Sequence, residues 1–306
     1  SRWMDVDGIR VHFFDELPAG VGNPPVVVLS HASFMSLRSW DSLAASLLKN
    51  GYRVIRMDYL NAGLTGFDSR GVNDMGRNVR ILEEVPGRLG VTRYALIGTS
   101  SGGQIAFIHA GDHPERVSRL VLINSGGMPR TAQSNPNRGR GNPLEQWINR
   151  QYRSKGQWQA DLEGNIPSLR PLPEAFVEMV YDMNRREGGR SAAAQYLKNF
   201  RTGDTATYLA RVRAPTLILQ GMANPTLVHT EAELQSYWMT GAPTLIKKYP
   251  DFGHYPYIEG PLALETDVLK FLAGGYDAEL RQTIRAAPSP AILPNVVAVN
   301  KPLPAM

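Results

Sequence analysis

Short apolar runs alternate with stretches of helical spacing along most of the chain. A run that is apolar without interruption predicts a strand buried on both faces of a parallel sheet, and such runs occupy residues 25–30, 52–57, 94–97, 117–123, 216–219 and 244–249. Helical spacing follows at residues 40–48, 79–89, 230–239 and 260–272. Residues 6–14 alternate like a strand pair around Asp7-Gly8. The order predicts an α/β fold, with a mostly parallel sheet covered by helices on both faces.

Residues 128–210 interrupt this alternation. Residues 131–143 are rich in Asn, Gly, Pro and Arg and predict a loop, whereas residues 144–155, 173–186 and 190–200 have amphipathic helical patterns. An insertion after the sixth strand lies above the carboxyl edge of a parallel sheet, where ligands bind. We therefore predict a helical cap at 128–210 on a core formed by 1–127 and 211–275.

The last segment, residues 276–306, is proline-rich and is not expected to form a long helix. Tails of this composition dock on their own domain or on a neighbouring subunit. We therefore predict a homo-oligomer that forms through this segment.

Composition excludes several classes of function. The 306 residues contain no cysteine, which rules out disulfides, thiol catalysis and cysteine-ligated metals. No apolar run approaches the roughly 18 residues of a membrane span. The net charge is +5, yet no dense Lys/Arg run is interleaved with aromatic residues, so nucleic acid is not an expected partner. Most of the excess positive charge lies in 128–210, which is typical of a solvated surface or of a site for a carboxylate-bearing substrate.

The sequence leaves the cellular compartment open. The chain begins Ser1-Arg2-Trp3, with neither a starting methionine nor a leader. A removed export signal and a shortened chain both fit this beginning, and the absence of cysteine suits an exported protein without requiring export.

The strongest chemical signal is a serine between glycines. Gly98-Thr99-Ser100-Ser101-Gly102 follows an apolar run and precedes a helical pattern. A serine on a tight strand-to-helix turn exposes a nucleophilic hydroxyl, and the glycines remove side chains that would clash in the turn. The helix that follows directs its N-terminus at the site, where it would stabilise an oxyanion.

Together with three further segments, this turn resembles the α/β-hydrolase family over about residues 6–273. Ser30-His31-Ala32-Ser33 with Trp40 is similar to the family's oxyanion loop, and residues 58–65 resemble its Asp-x-x-Gly-x-Gly-x-Ser/Thr loop. Asp251-Phe-Gly-His-Tyr-Pro256 follows the last strand, as the family's histidine loop does. The resemblance implies the order nucleophile, acid, histidine.

The resemblance assigns roles to individual residues. It implies Ser100 as nucleophile and His254 as general base. The backbone N–H groups of Ser33 and Ser101 would form the oxyanion hole, and Ala32 replaces a family glycine, which slightly narrows the loop. This chemistry needs no cofactor and no metal, and we expect neither.

Asn224 stands where the family has an acid, after the strand at 216–219. Asparagine can accept the Nδ1–H bond but carries no charge, and in a serine protease such a change costs on the order of 10⁴ in turnover. Three interpretations remain open. Asn224 orients a working Ser–His pair, a carboxylate elsewhere reaches His254, or activity is lost or slow. Of the other carboxylates, Asp251 comes too early on its loop, and Glu231 and Glu233 are expected at the surface.

The leading functional prediction is a serine hydrolase of a carboxylic ester or lactone. The alternatives are a C–C bond hydrolase of a diketone-like substrate, with the same serine and histidine, and a non-catalytic binding protein that keeps the fold. An apolar or aromatic substrate is predicted from the residues expected to line the pocket, which are Ala32, Trp147, Trp158, Tyr181 and Met183. The cap aromatics also fit the interpretation that they form the cap's own core.

Overall fold

An eight-stranded sheet organises the computed structural model, which describes residues 1–68, 70, 74–129, 153–185 and 204–282. The sheet order is β1-β2-β4-β3-β5-β6-β7-β8. β1 and β2 are antiparallel to their neighbours and every other pair is parallel. The strands are Arg2–Val6 (β1), Ile9–Glu16 (β2), Val26–Ser30 (β3), Arg53–Met57 (β4), Tyr94–Thr99 (β5), Val117–Ile123 (β6), Thr216–Gly221 (β7) and Thr244–Tyr249 (β8). The predicted fold class is confirmed.

Helices cover both faces of the sheet. Because successive side chains of a strand point to opposite faces, Val28 packs into one apolar core and its neighbours Val27 and Leu29 into the other. A 3₁₀ turn spans Leu37–Trp40. The described helices are Asp41–Lys49 (α1), Met75–Arg88 (α2), Ser101–Asp112 (α3), Lys155–Asn165 (α4), Glu174–Asn184 (α5), Thr205–Arg211 (α6), His229–Trp238 (α7), Pro256–Glu259 (α8), Pro261–Leu272 (α9) and Asp277–Gln282 (α10).

Two helices differ from their predicted bounds because of polar caps. α2 starts four residues before the predicted 79–89, since the Asp74 side chain accepts a hydrogen bond from the N–H of Arg77. α4 was not predicted, and it begins with a capping box in which Ser154 and Gln157 each bind the other's backbone N–H. Ser-x-x-Gln was the signal available in the sequence.

The segment between β6 and β7 is described only in part. α5 lies within the helix predicted at 173–186. The helix predicted at 190–200 and most of the one predicted at 144–155 lie outside the described residues, as do residues 283–306 of the tail. The division into core and cap and the oligomer stay predictions. Among the described helices, none has the length and apolar character that a bilayer span requires.

His109 makes the fold sensitive to acid. This α3 side chain is fully buried, with Nε2 2.7 Å from the Tyr94 hydroxyl. Burial, aided by His113 and Arg116, lowers the pKa of His109 from 6.5 to about 3. Between these values only the unfolded chain binds the proton, so the free energy of unfolding must fall as pH falls from about 6.5 toward 3.

Replacing His109 by phenylalanine should flatten this dependence. Between pH 6.5 and 4.5 the wild type is expected to lose roughly 2–3 kcal/mol more of its free energy of unfolding than His109→Phe. Urea unfolding at both pH values measures the two losses, and comparing each protein with itself cancels the packing cost of the substitution. Equal losses would contradict the prediction.

Candidate active site

Ser100 occupies a strained turn between β5 and α3. Its backbone has φ 51° and ψ −123°, a region that costs a non-glycine residue about 1–3 kcal/mol. The end of β6 holds it there. The Ser100 N–H lies 3.1 Å from the Ile123 oxygen, and the Ser100 oxygen accepts the N–H of Gly126 at 2.8 Å. Such strain at a sharp turn is the geometry that presents a nucleophile.

The glycines on either side of Ser100 are required by close backbone contacts. A Cβ on Gly98 would lie 2.5 Å from the Gly102 oxygen, and one on Gly102 would lie 2.3 Å from the His31 oxygen. Both distances are far inside van der Waals contact. The two glycines therefore allow the strand, the helix and the β3 loop to meet at the serine.

His254 lies beside the serine hydroxyl. Its Nε2 is 3.0 Å from Ser100 Oγ, and its side chain is buried. The loop that carries it is fixed by two neighbouring segments. The His254 N–H donates to the Asn165 oxygen at 2.7 Å, and Asn124 Nδ2 donates to the His254 oxygen at 3.0 Å. These two backbone hydrogen bonds fix the position of His254 and hold its imidazole against Ser100.

Asn224 determines which imidazole nitrogen carries the proton. Its Oδ1 accepts the N–H groups of Thr226 at 2.9 Å and Leu227 at 3.1 Å. Since two donors converge on this atom, it is the amide oxygen and not the amide nitrogen. The same oxygen lies 3.2 Å from His254 Nδ1, so Nδ1 must donate. Nε2 is then the acceptor that faces Ser100, which is the tautomer a general base needs.

Ser33 and Ser101 lie side by side at the mouth of the turn. Ser33 follows β3 and Ser101 opens α3, and their hydroxyls are 2.8 Å apart. Within the described part of the chain, neither backbone N–H donates to another protein group. Both residues line the cavity that contains Ser100 and His254. Two such N–H groups beside a serine, one of them at the N-terminus of α3, are suited to an oxyanion.

His31 shapes the loop that carries Ser33. Its Nε2 accepts the N–H of Tyr59 at 3.1 Å, and its Nδ1 lies 2.7 Å from the Ala32 oxygen. Burial lowers the pKa of His31, and this effect is larger than the rise that the negative charge of Asp58 causes. The ring is therefore neutral and bridges two loops.

Two cavities adjoin these residues. The larger, of about 690 Å³, contains Ser100, His254 and the predicted pocket residue Trp158. The smaller, of about 50 Å³, contains Ala32 and Met183. Tyr181 is absent from the described lining of both cavities. Val180 of α5 lines the larger cavity. The next side chain of the helix, Tyr181, is turned away from the cavity and lies against the Arg185 guanidinium. Trp147 lies outside the described residues.

Three charged residues that were not predicted in the pocket, Arg153, Asp161 and Glu231, line the larger cavity. Glu231 was expected at the surface, but it is buried and faces the cavity from the first turn of α7, so this expectation is wrong. Gln235, one turn later on the same face, donates to the Ser125 oxygen at 3.0 Å. Arg153 and Asp161 form an ion pair at the cavity wall. Glu233 pairs with Lys248 at the surface, as expected, and Asp251 is exposed.

Two asparagines that position the loops were also missed. Asn124 accepts the N–H of Gly221 at 2.9 Å while it donates to the histidine loop. Asn165, at the end of α4, accepts the Thr226 hydroxyl at 2.6 Å and the His254 N–H. The only available signal was that Asn124 stands directly after β6, where some α/β hydrolases carry their acid.

Comparison with known proteins places this geometry in a family. The chain is 28% identical over 299 residues to a 2-hydroxy-6-oxononadienedioate/2-hydroxy-6-oxononatrienedioate hydrolase of Escherichia coli O81 (strain ED1a), covering 89% of this chain and 96% of that protein.

Two solved structures share the fold. One is the enol-lactonase from Burkholderia xenovorans LB400, with a TM-score of 0.72, 18% identity, and coverage of 89% of this chain and 100% of that one. The other is a meta-cleavage product hydrolase from Pseudomonas fluorescens IP01, with a TM-score of 0.73, 18% identity, and coverage of 90% and 98%. A family model described as the alpha/beta hydrolase fold matches residues 25–261. By its sheet, its serine turn and this match, the chain belongs to the α/β hydrolase family.

Proposed function

We propose that the protein is a serine hydrolase that cleaves a carboxylic ester or lactone through an acyl-enzyme on Ser100. The observation that carries the proposal is the hydrogen-bonded chain Ser100–His254–Asn224, with Oγ 3.0 Å from Nε2 and Nδ1 3.2 Å from the amide oxygen. In this series of hydrogen bonds Nε2 is the acceptor that faces the serine hydroxyl and takes its proton.

The steps follow from this arrangement. Nε2 of His254 takes the Ser100 proton while Oγ bonds to the substrate carbonyl carbon, and the oxyanion accepts the N–H groups of Ser33 and Ser101. His254 then gives its proton to the leaving alcohol oxygen as the ester C–O bond breaks. Water, deprotonated by the same nitrogen, attacks the acyl-enzyme, releases the acid and returns the proton to Ser100.

The second candidate is hydrolysis of a C–C bond in a diketone-like substrate, which uses the same serine and histidine. The relatives named as dienedioate hydrolases support it. Measuring turnover of an aryl ester beside that of a 2-hydroxy-6-oxo-dienoate decides between the two. A higher kcat/KM for the ester supports the leading proposal.

Covalent labelling tests the activated serine without a known substrate. Intact mass after incubation with a fluorophosphonate should show one adduct on the wild type and none on Ser100→Ala. An adduct on both proteins would mean that another residue reacts. No adduct on either would contradict the proposal and favour a non-catalytic binding protein.

A further inference from the structure

Ser33, Phe34 and Ser101 separate the two cavities, because among the described residues these three line both. Ser100 and His254 line only the larger one. The hydrogen bond between the two serine hydroxyls, 2.8 Å long, therefore lies on the partition. The predicted oxyanion donors belong to the same two serines, so a bound carbonyl would sit at the junction of the two spaces.

The position of His254 assigns the halves of an ester to these spaces. The leaving oxygen must receive its proton from Nε2, and that nitrogen faces only the larger cavity. The alcohol portion therefore occupies the larger cavity. With the carbonyl oxygen on Ser33 and Ser101, the remaining substituent of the tetrahedral carbon is the acyl chain, which is directed past the partition into the smaller cavity.

The smaller cavity has little room and firm walls. Its volume is about 50 Å³, against about 690 Å³ for the larger cavity. The side chains of Leu60, Ile105 and Met183 are part of its lining. Asn78 fixes Leu60 by accepting its N–H at 3.0 Å, and Asn184 fixes Phe34 by donating to its oxygen at 2.8 Å. Phe34 itself is held at φ 64°.

We propose that this site selects esters with a short, uncharged acyl group joined to a bulky alcohol. The inference rests on the proposed serine hydrolase and adds its substrate class. The described lining of the smaller cavity contains no carboxylate, lysine or arginine that would pair with a charged acyl chain. The cavity of about 690 Å³ on the alcohol side accepts an aromatic or polycyclic group.

A series of p-nitrophenyl esters from acetate to octanoate tests the acyl preference. We expect kcat/KM to be highest between acetate and butanoate and about tenfold or more lower for octanoate. Met183→Ala enlarges the smaller cavity and should raise the octanoate-to-acetate ratio of kcat/KM about tenfold.

Met179→Ala is the matched control. Met179 lies one turn earlier on α5 and is absent from the described lining of both cavities, so its removal should leave the ratio unchanged. Leu60→Ala, on a different element, should repeat the Met183→Ala result if that variant folds poorly. Trp158→Ala opens only the larger cavity and should alter the preference for the alcohol.

The outcomes separate this inference from the function on which it rests. The inference is overturned if the protein hydrolyses the octanoate ester as well as the acetate ester. It is also overturned if the octanoate-to-acetate ratio changes in Trp158→Ala but not in the Met183 and Leu60 variants. If fluorophosphonate still labels Ser100 in either case, the serine hydrolase stands. Absence of both labelling and ester turnover overturns the function and the inference together.

Discussion

Replacing His254 by glutamine is expected to lower kcat for an aryl ester by a factor on the order of 10⁵–10⁶. Nε2 of His254 is the only described nitrogen base within hydrogen-bond distance of Ser100 Oγ, at 3.0 Å. Glutamine fills similar space and keeps hydrogen-bonding atoms, but it cannot accept the serine proton at neutral pH. The acyl-enzyme would then form only as fast as an unassisted hydroxyl reacts. Initial rates and fluorophosphonate labelling measure this loss.

His229→Gln is the control for the chemistry of the substitution. His229 begins α7 and is absent from the described lining of both cavities, so this variant should retain wild-type turnover. Thermal unfolding of both variants shows whether the fold persists. A folded His254→Gln protein that keeps more than about a hundredth of the wild-type kcat would remove His254 as the general base.

The parts of the site that sequence predicted are encoded by short segments. The glycines around Ser100 are needed because the turn, α3 and the β3 loop touch there, and such a requirement leaves a local pattern. The buried strands likewise appear as apolar runs, because both faces of the sheet are covered. Ser100 and His254, 154 positions apart, are brought together because both lie at the carboxyl ends of parallel strands.

Features that depend on packing between distant segments were not predictable in the same way. Glu231 has an ordinary position in an amphipathic helix, and only the packing of α7 against β7 and β8 turns it toward the cavity. Tyr181 was placed in the pocket by its aromatic character, whereas the rotation of α5 presents Val180 instead. No local pattern records the volume of the smaller cavity, which is set by α3, α5 and the loop after β4 together.

The geometry around Asn224 changes the comparison with an asparagine placed in a serine protease. There, most of the loss of turnover comes from the wrong tautomer of the histidine. Here the N–H groups of Thr226 and Leu227 fix the amide oxygen toward Nδ1, so the tautomer is correct. What the site lacks is the charge that stabilises the imidazolium during attack.

Replacing Asn224 by aspartate should therefore raise kcat for an aryl ester by about tenfold or more, whereas alanine should lower it by about 10²–10⁴. A carboxylate keeps the acceptor for Nδ1 and for both backbone N–H groups. It also removes the Nδ2 group, which is buried and has no hydrogen-bond partner among the described residues. Steady-state kinetics on both variants measure the two effects.

Asn165→Asp is the control variant, because it adds a negative charge to the same cavity without contacting the imidazole of His254. Asn165 lines the same cavity and contacts the same loops, but its side chain is bonded to Thr226, so this variant should show no gain in kcat. A fall in turnover for Asn224→Asp would instead mean that a carboxylate already serves His254. Glu231 would be the first residue to examine, since it is the buried carboxylate of the described cavity lining. In that case Glu231→Gln should lower kcat by about 10²–10⁴, the loss expected above for Asn224→Ala.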